Sequence, residues 1–216
     1  AKAMPKSQVG RFTQWILPPL ADKLKVDLEP HFITIAIRRL ARNSTLPPLH
    51  EPSTKSQHTM NFMSEGAIYE TAGIFARKNY RKVLFVVDED AYEACGADGV
   101  LEPILENCVV GRFVGFELNP KLADVQRGIE ISQELNPDVV IALGGGTAID
   151  LGKLIGSLSV QSSTTRDVIE GRVTIKRKGA PLIAIPTTAG TGSESTHFAV
   201  AYVGEKKFSV AHKSLL

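Results

Sequence analysis

The stretch DVVIALGGGTAIDLGK, Asp138 to Lys153, decides the fold. DVVIAL is a short, nearly all-apolar run, as expected of a strand buried on both faces. Gly144, Gly145 and Gly146 stop that run, and apolar residues then resume at helical spacing. Strand, glycine turn and helix in this order build an open parallel sheet, whose ligands collect beyond the carboxyl ends of the strands. Glycine lets backbone approach a ligand closely, and the helix N-terminus offers free N–H groups and the positive end of its dipole. A tight turn by itself needs one glycine, rarely three. A phosphate or pyrophosphate is therefore the expected occupant.

Two common phosphate-binding patterns do not fit. In the Walker loop, four residues separate the first Gly from Gly-Lys, and Ser or Thr follows. Here five residues separate Gly146 from Gly152-Lys153, and Leu154 follows. The dinucleotide fingerprint G-x-G-x-x-G fails at its third glycine, where Ile149 stands. A different nucleotide fold is required.

Working outward, strand and helix patterns alternate. EGAIYETAGIFARKNY (Glu65–Tyr80) has helical spacing, and KVLFVVD (Lys82–Asp88) reads as a buried strand. GVLEPILENC (Gly99–Cys108) predicts a helix, VVGRFVGFEL (Val109–Leu118) a strand, and KLADVQRGIEISQELN (Lys121–Asn136) a helix announced by Asn119-Pro120. PLIAIP (Pro181–Pro186) predicts a further strand, and FAVAYV and KFSVAH flank GEK as a hairpin. The expected class is α/β, with a largely parallel sheet and helices on both faces. Residues 1–58 read differently. FTQWILPPLADKLKV and PHFITIAIRRLARN each suggest a short amphipathic helix, and STLPPLHEPSTKSQH (Ser44–His58) a Pro-rich linker or extended arm. The expected division is thus a helical arm and linker over 1–58 and the α/β domain over 59–216.

Composition excludes several classes. The chain has 216 residues, 43% hydrophobic and 22% charged, with a net charge of +2, so no nucleic-acid surface is expected. Its basic cluster RVTIKRKG (Arg172–Gly179) is too short for such a stripe. Cys95 and Cys108 form neither a metal spacing nor a disulfide framework, and a reducing cytoplasm is the natural compartment. No run approaches the roughly 18 apolar residues of a membrane span, and no secretory signal is evident.

A second loop, PTTAGTGSEST (Pro186–Thr196), follows its own buried strand and is dense in glycine and small hydroxyl residues. Together GGGTAIDLGK and PTTAGTGSE, with their spacing, resemble the iron-containing (group III) alcohol dehydrogenase family. The resemblance covers about Met60 to Leu216, including SEGA, KVLFVVDEDAY, LNPKLADVQRG and FAVAYVGEKKFS. It implies a Rossmann-like, dehydroquinate synthase-like N-terminal domain that binds NAD(P), with the family's first strands near STKSQHTMNF. The pyrophosphate would lie over Gly145, Gly146 and Thr147. Asp88 matches the acid near the adenosine ribose, where a carboxylate favours NAD over NADP. Asn119 matches a position near the cofactor, Thr187 and Thr188 the nicotinamide side, and Thr196 and Lys207 two further cofactor contacts. Asp150 and Lys153 match the acid and lysine of GGGSxxDxxK, with helix capping and a surface charge as the alternative roles.

The resemblance also implies a divalent metal, Fe or Zn, held by one Asp and three His that lie C-terminal to the matched stretch. Catalytic residues and metal ligands are therefore not assigned in this chain, and the helical metal-binding domain is expected to be missing. Hydride transfer is accordingly expected only of a longer enzyme. His31, His50, His58, His197 and His212 show no ligand spacing. For His197 a hydrogen-bonded structural role is favoured over one facing substrate. The implied function is the NAD-binding part of a metal-dependent alcohol dehydrogenase or aldehyde reductase, expected to be a homo-oligomer acting on a small alcohol or aldehyde. THFAVAYVGEKKFSVAHKSLL also resembles the phosphonoacetaldehyde reductase branch. The alternatives are a metal-independent reductase of the maleylacetate reductase type, or a short nucleotide-binding and assembly module without catalysis.

Overall fold

The computed structural model describes residues 32–35, 54–55 and 59–216. In chain order the strands are β1 (Phe32–Ile35), β2 (Thr54–Lys55), β3 (Thr59–Phe62), β4 (Lys82–Val87), β5 (Val109–Phe113), β6 (Val139–Gly144), β7 (Leu182–Pro186), β8 (Phe198–Val203) and β9 (Lys206–Ala211). The α-helices are α1 (Glu70–Lys78), α2 (Glu89–Ala94), α3 (Asp98–Leu105), α4 (Leu122–Leu135), α5 (Gly146–Leu158) and α6 (Thr165–Ile169). Seven strands form one sheet in the order β2-β3-β1-β7-β6-β4-β5. All its pairings are parallel except the β2–β3 edge. The hairpin β8–β9, joined at Gly204-Glu205, forms the second sheet.

Period-two alternation sends neighbouring residues to opposite faces, and both faces are apolar because both are covered. Val83, Phe85, Val87, Val139, Ile141, Leu143, Ile183 and Ile185 pack with Ile74, Phe75, Tyr92, Leu101 and Leu105 of α1–α3. Leu84, Val86, Val140, Ala142, Leu182 and Ala184 pack on the other side with Val125, Ile129, Ile149 and Ile155 of α4 and α5. Each such fully buried side chain is worth about 1.5–3 kcal/mol in transfer from water. Helix α5 is buried at every position from Ala148 to Leu158, as its nearly continuous apolar sequence requires. It lies so close to β6 that a Cβ on Gly152 would sit 2.6 Å from that of Ala142.

One expectation is overturned. The helix read in PHFITIAIRRLARN is a strand at Phe32–Ile35, parallel to both β3 and β7. Ile33, Thr34 and Ile35 are β-branched, which favours extended backbone, and Ile35 is fully buried in the core. A four-residue apolar run does not distinguish helix from strand by periodicity. The extended segment near STKSQHTMNF is present as β2 and β3. The helix expected in FTQWILPPLADKLKV, and most of the Pro-rich stretch, lie outside the described residues.

No helix among the described residues is long and apolar enough to cross a membrane. The feature that places the site is the strand order. From β4 the chain moves outward to β5, then returns past β4 to β6 and on to β7. The carboxyl ends of β4 and β6 therefore flank the point where their connections diverge, which is where open sheets form a crevice.

Candidate functional site

Asp88 closes β4 and Gly144 closes β6, side by side at that crevice. The Asp88 N–H donates to Leu143 O at 3.0 Å, and a Cβ on Gly144 would lie 2.9 Å from that of Asp88 and 2.8 Å from that of Ala148. Gly144 has φ +145°, a conformation that side chains resist. Only glycine turns the chain here.

Gly145 is the N-cap of α5 and offers no side-chain cap, and the helix carries no acid in its first turn. The first N–H groups of this 13-residue helix thus remain open to an anion. The Thr147 hydroxyl accepts from the Asn119 N–H at 3.2 Å. Asn119 is left-handed, φ +64°, and the next carbonyl, of Pro120, accepts from Tyr202 N at 2.8 Å. The Asn-Pro segment is thereby fixed between the glycine turn and the hairpin.

The second loop closes over the same turn. Thr187 N donates to Gly144 O at 2.9 Å. A Cβ on Gly145 would meet Thr188 Oγ1 at 3.3 Å, and one on Gly146 would meet Thr191 Cβ and Ser193 Oγ at 3.2 Å. A side chain at either glycine would therefore press on the second loop as well as on any ligand between the loops. Thr187 Oγ1 is buried without a hydrogen-bond partner, which is costly unless something completes it.

The remaining expected residues fall into two groups. Asp88 caps α2, its Oδ1 accepting from Ala91 N at 3.2 Å. Thr188 and Lys207 are exposed, and Lys207 stands opposite Tyr202 in the hairpin. Asp150, Lys153 and Thr196 engage one another's elements instead. Asp150 Oδ2 accepts from Val200 N at 3.0 Å. Lys153 Nζ donates to Thr196 O at 2.5 Å, to Phe198 O at 3.1 Å and to Thr196 Oγ1 at 3.2 Å. Neither suggested alternative describes this pair, because Asp150 caps no helix and Lys153 is only 2% exposed. Burial pushes the Asp150 carboxyl up, with the Val200 N–H and the nearby Lys153 charge pulling it back. Burial takes the Lys153 ammonium down to about 8, against the pull of Asp150 and Glu194.

Thr191 and Ser193 were not singled out by the sequence, although they lie in a quoted loop. Only the loop's conformation, with left-handed Gly190 and Gly192, brings them to Gly146. His197 is exposed, and its ring meets the Phe198 ring edge-on at 6.2 Å. Among the described residues no three His, Cys, Asp or Glu side chains converge on a metal site. The described residues therefore offer no metal donor set, whereas the glycine turn, the open helix start and the orphan Thr187 hydroxyl fit an elongated phosphate-bearing ligand.

Residues 59–216 match the family described as iron-containing alcohol dehydrogenase. Alcohol dehydrogenase 4 of Saccharomyces cerevisiae is 36% identical over 154 residues, 70% of this chain and 40% of that protein. The NADH-dependent butanol dehydrogenase A of Thermotoga maritima superposes with a TM-score of 0.66 at 20% identity, covering 88% of this chain and 42% of that one. Sulfoacetaldehyde reductase of Bifidobacterium kashiwanohense, solved with NAD+, gives 0.66 at 21% identity, covering 89% and 44%. The chain thus spans about two fifths of the length of these relatives, and at these identities the structural likeness concerns the fold.

Proposed function

The chain belongs to the iron-containing alcohol dehydrogenase family, and from that premise we propose that it binds NAD(H) as the cofactor-holding part of an enzyme interconverting a small alcohol and its aldehyde. One observation carries this reading: two glycine-bearing turns meet at the divergence of β4 and β6, around the open start of α5. The NAD+ held by the sulfoacetaldehyde reductase, a protein of the same fold, supports the choice of ligand.

In this reading Gly145, Gly146 and the first N–H groups of α5 hold the pyrophosphate, whose charge suits the helix dipole. Asp88 receives a ribose hydroxyl and repels a 2′-phosphate. Asn119 holds Thr147 in place under the phosphates, and Thr187 and Thr188 face the nicotinamide side. The orphan Thr187 hydroxyl gains a partner there. Lys207, from the hairpin, adds positive charge at the rim. Bound NAD supplies the hydride acceptor. The described residues offer no metal donor set, so no step is assigned to a metal in this chain.

The test is fluorescence titration with NADH and NADPH, on wild type and on Asp88→Asn. Asparagine keeps an acceptor for Ala91 N and removes only the charge. Wild type should prefer NADH, and the variant should lose about tenfold of that preference. Equal affinity of the wild type for both cofactors, or a preference untouched by the substitution, would remove Asp88 from the site.

A further inference from the structure

Lys153 is the one cationic side chain among the buried polar residues described, and its ammonium ends on backbone. Two of its acceptors, the carbonyls of Thr196 and Phe198, lie where the second loop runs into β8. Three residues earlier on the same helical face, Asp150 accepts from Val200 N, two residues further along the strand. A charged donor and a charged acceptor thus grip one peptide segment from the helix that begins at the glycine turn.

We infer that Lys153 is a positioning residue, fastening the second loop to α5 so that Thr187, Thr188 and Thr191 stay against Gly145 and Gly146. Its ammonium donates to Thr196 and Phe198, where the loop leaves the cleft. Buried charge-assisted hydrogen bonds are the stronger kind, and Lys153 makes them from a helix that is itself part of the core. The inference rests on the cofactor reading only for its consequence. The fastening itself is a property of the fold.

Amide exchange over residues 187–200, measured without cofactor, reads loop opening directly. Lys153→Met keeps the length of the side chain and removes its donors. Opening should become at least about tenfold more frequent, since two carbonyls lose a charged donor. NADH affinity should fall with it, while circular dichroism shows the helices and sheet still folded. The wild type also carries a pH signature. The closed loop holds its lysine near 8, an open loop returns it to water, and closing therefore releases a proton between about pH 8 and 10.5. Opening should become rarer as pH rises through that window, and the substitution should abolish the trend. Asp150 from α5, Glu194 from the second loop and Lys207 from the hairpin are the charged groups facing this pair. A Lys207→Met control subtracts the hairpin's share.

Unchanged exchange in Lys153→Met overturns the inference. So does a variant whose loop opens freely yet binds NADH as the wild type does. If the variant does not fold, the wild-type pH series decides, and opening that stays flat or grows with pH overturns it. A wild-type chain that binds no NADH defeats the cofactor reading alone, with the exchange data still deciding whether Lys153 holds the loop.

Discussion

The first turn, Gly144 to Thr147, is fixed from behind by packing, whereas the second, Thr187 to Thr196, is fixed at its far end by charge. Behind the first stand Asp88 and Ala148, within contact of where a side chain at Gly144 would be, and a helix buried from Ala148 to Leu158. The second has exposed residues from Thr188 to Thr191, open space around Gly190 and Gly192, and Lys153 at its exit. Packing resists displacement in every direction and at every pH. A buried lysine resists it through a few hydrogen bonds, and to a degree that changes with pH. The crevice therefore joins a rigid wall to an adjustable one.

The sharpest way to break this contrast is to place the same kind of insult in each turn. Gly144→Val meets both a φ unsuited to side chains and two methyl-distance clashes. It should destabilise the fold by about 3 kcal/mol or more, read by urea unfolding. Gly190→Ala has only its φ of +95° to resist it, with nothing within 4 Å, and should cost about 1 kcal/mol. Equal costs would mean that the two turns are not held differently.

A second prediction concerns global stability and pH. The unfolded chain keeps the Lys153 proton up to about 10.5, and the folded chain only to about 8. Between those values the unfolded state binds more protons, so stability rises with pH there. This contribution is present above the window and is lost as pH falls through about 8. The wild-type gain, relative to Lys153→Met, should reach at most about 3 kcal/mol. Denaturant midpoints of the two proteins from pH 7.5 to 10.5 measure it. Parallel profiles would show that folding does not make the lysine give up its proton at lower pH.

Much of this arrangement was legible before the structure, for physical reasons. β4, β6 and β7 are covered on both faces, so their sequences are unbroken apolar runs that punctuation by Asp88, Gly144 and Pro186 ends cleanly. β1 escaped because four residues are too few to show a period, and its partners lie far away in sequence. The glycine turn could be read from its pattern, whereas Asp88 and Thr188 were named only through the family resemblance. The burial of Lys153 against β8 could not be read, since lysine is ordinarily an exposed residue and two of its acceptors are backbone carbonyls, which any sequence supplies.

The smallest expected effect sharpens the picture of the second turn. Thr187 Oγ1 is buried without a partner, so Thr187→Val removes no internal hydrogen bond. Stability should change by less than about 0.5 kcal/mol. NADH affinity should nonetheless fall severalfold, measured by the same titration. A clear loss of stability would reveal a partner for that hydroxyl within the protein.

The position of β1 has a consequence for how the chain is made. It lies inside the sheet, paired on one side with β3 and on the other with β7. Phe32 and Leu182 are register partners although about 150 positions separate them, a span whose closure entropy grows only slowly with length. The delay is kinetic. At roughly 5–20 residues per second, a ribosome needs about 8 to 30 seconds to deliver the partner strand. During that interval the β7-facing side of β1 is an unpaired edge, of the kind that pairs readily with other chains.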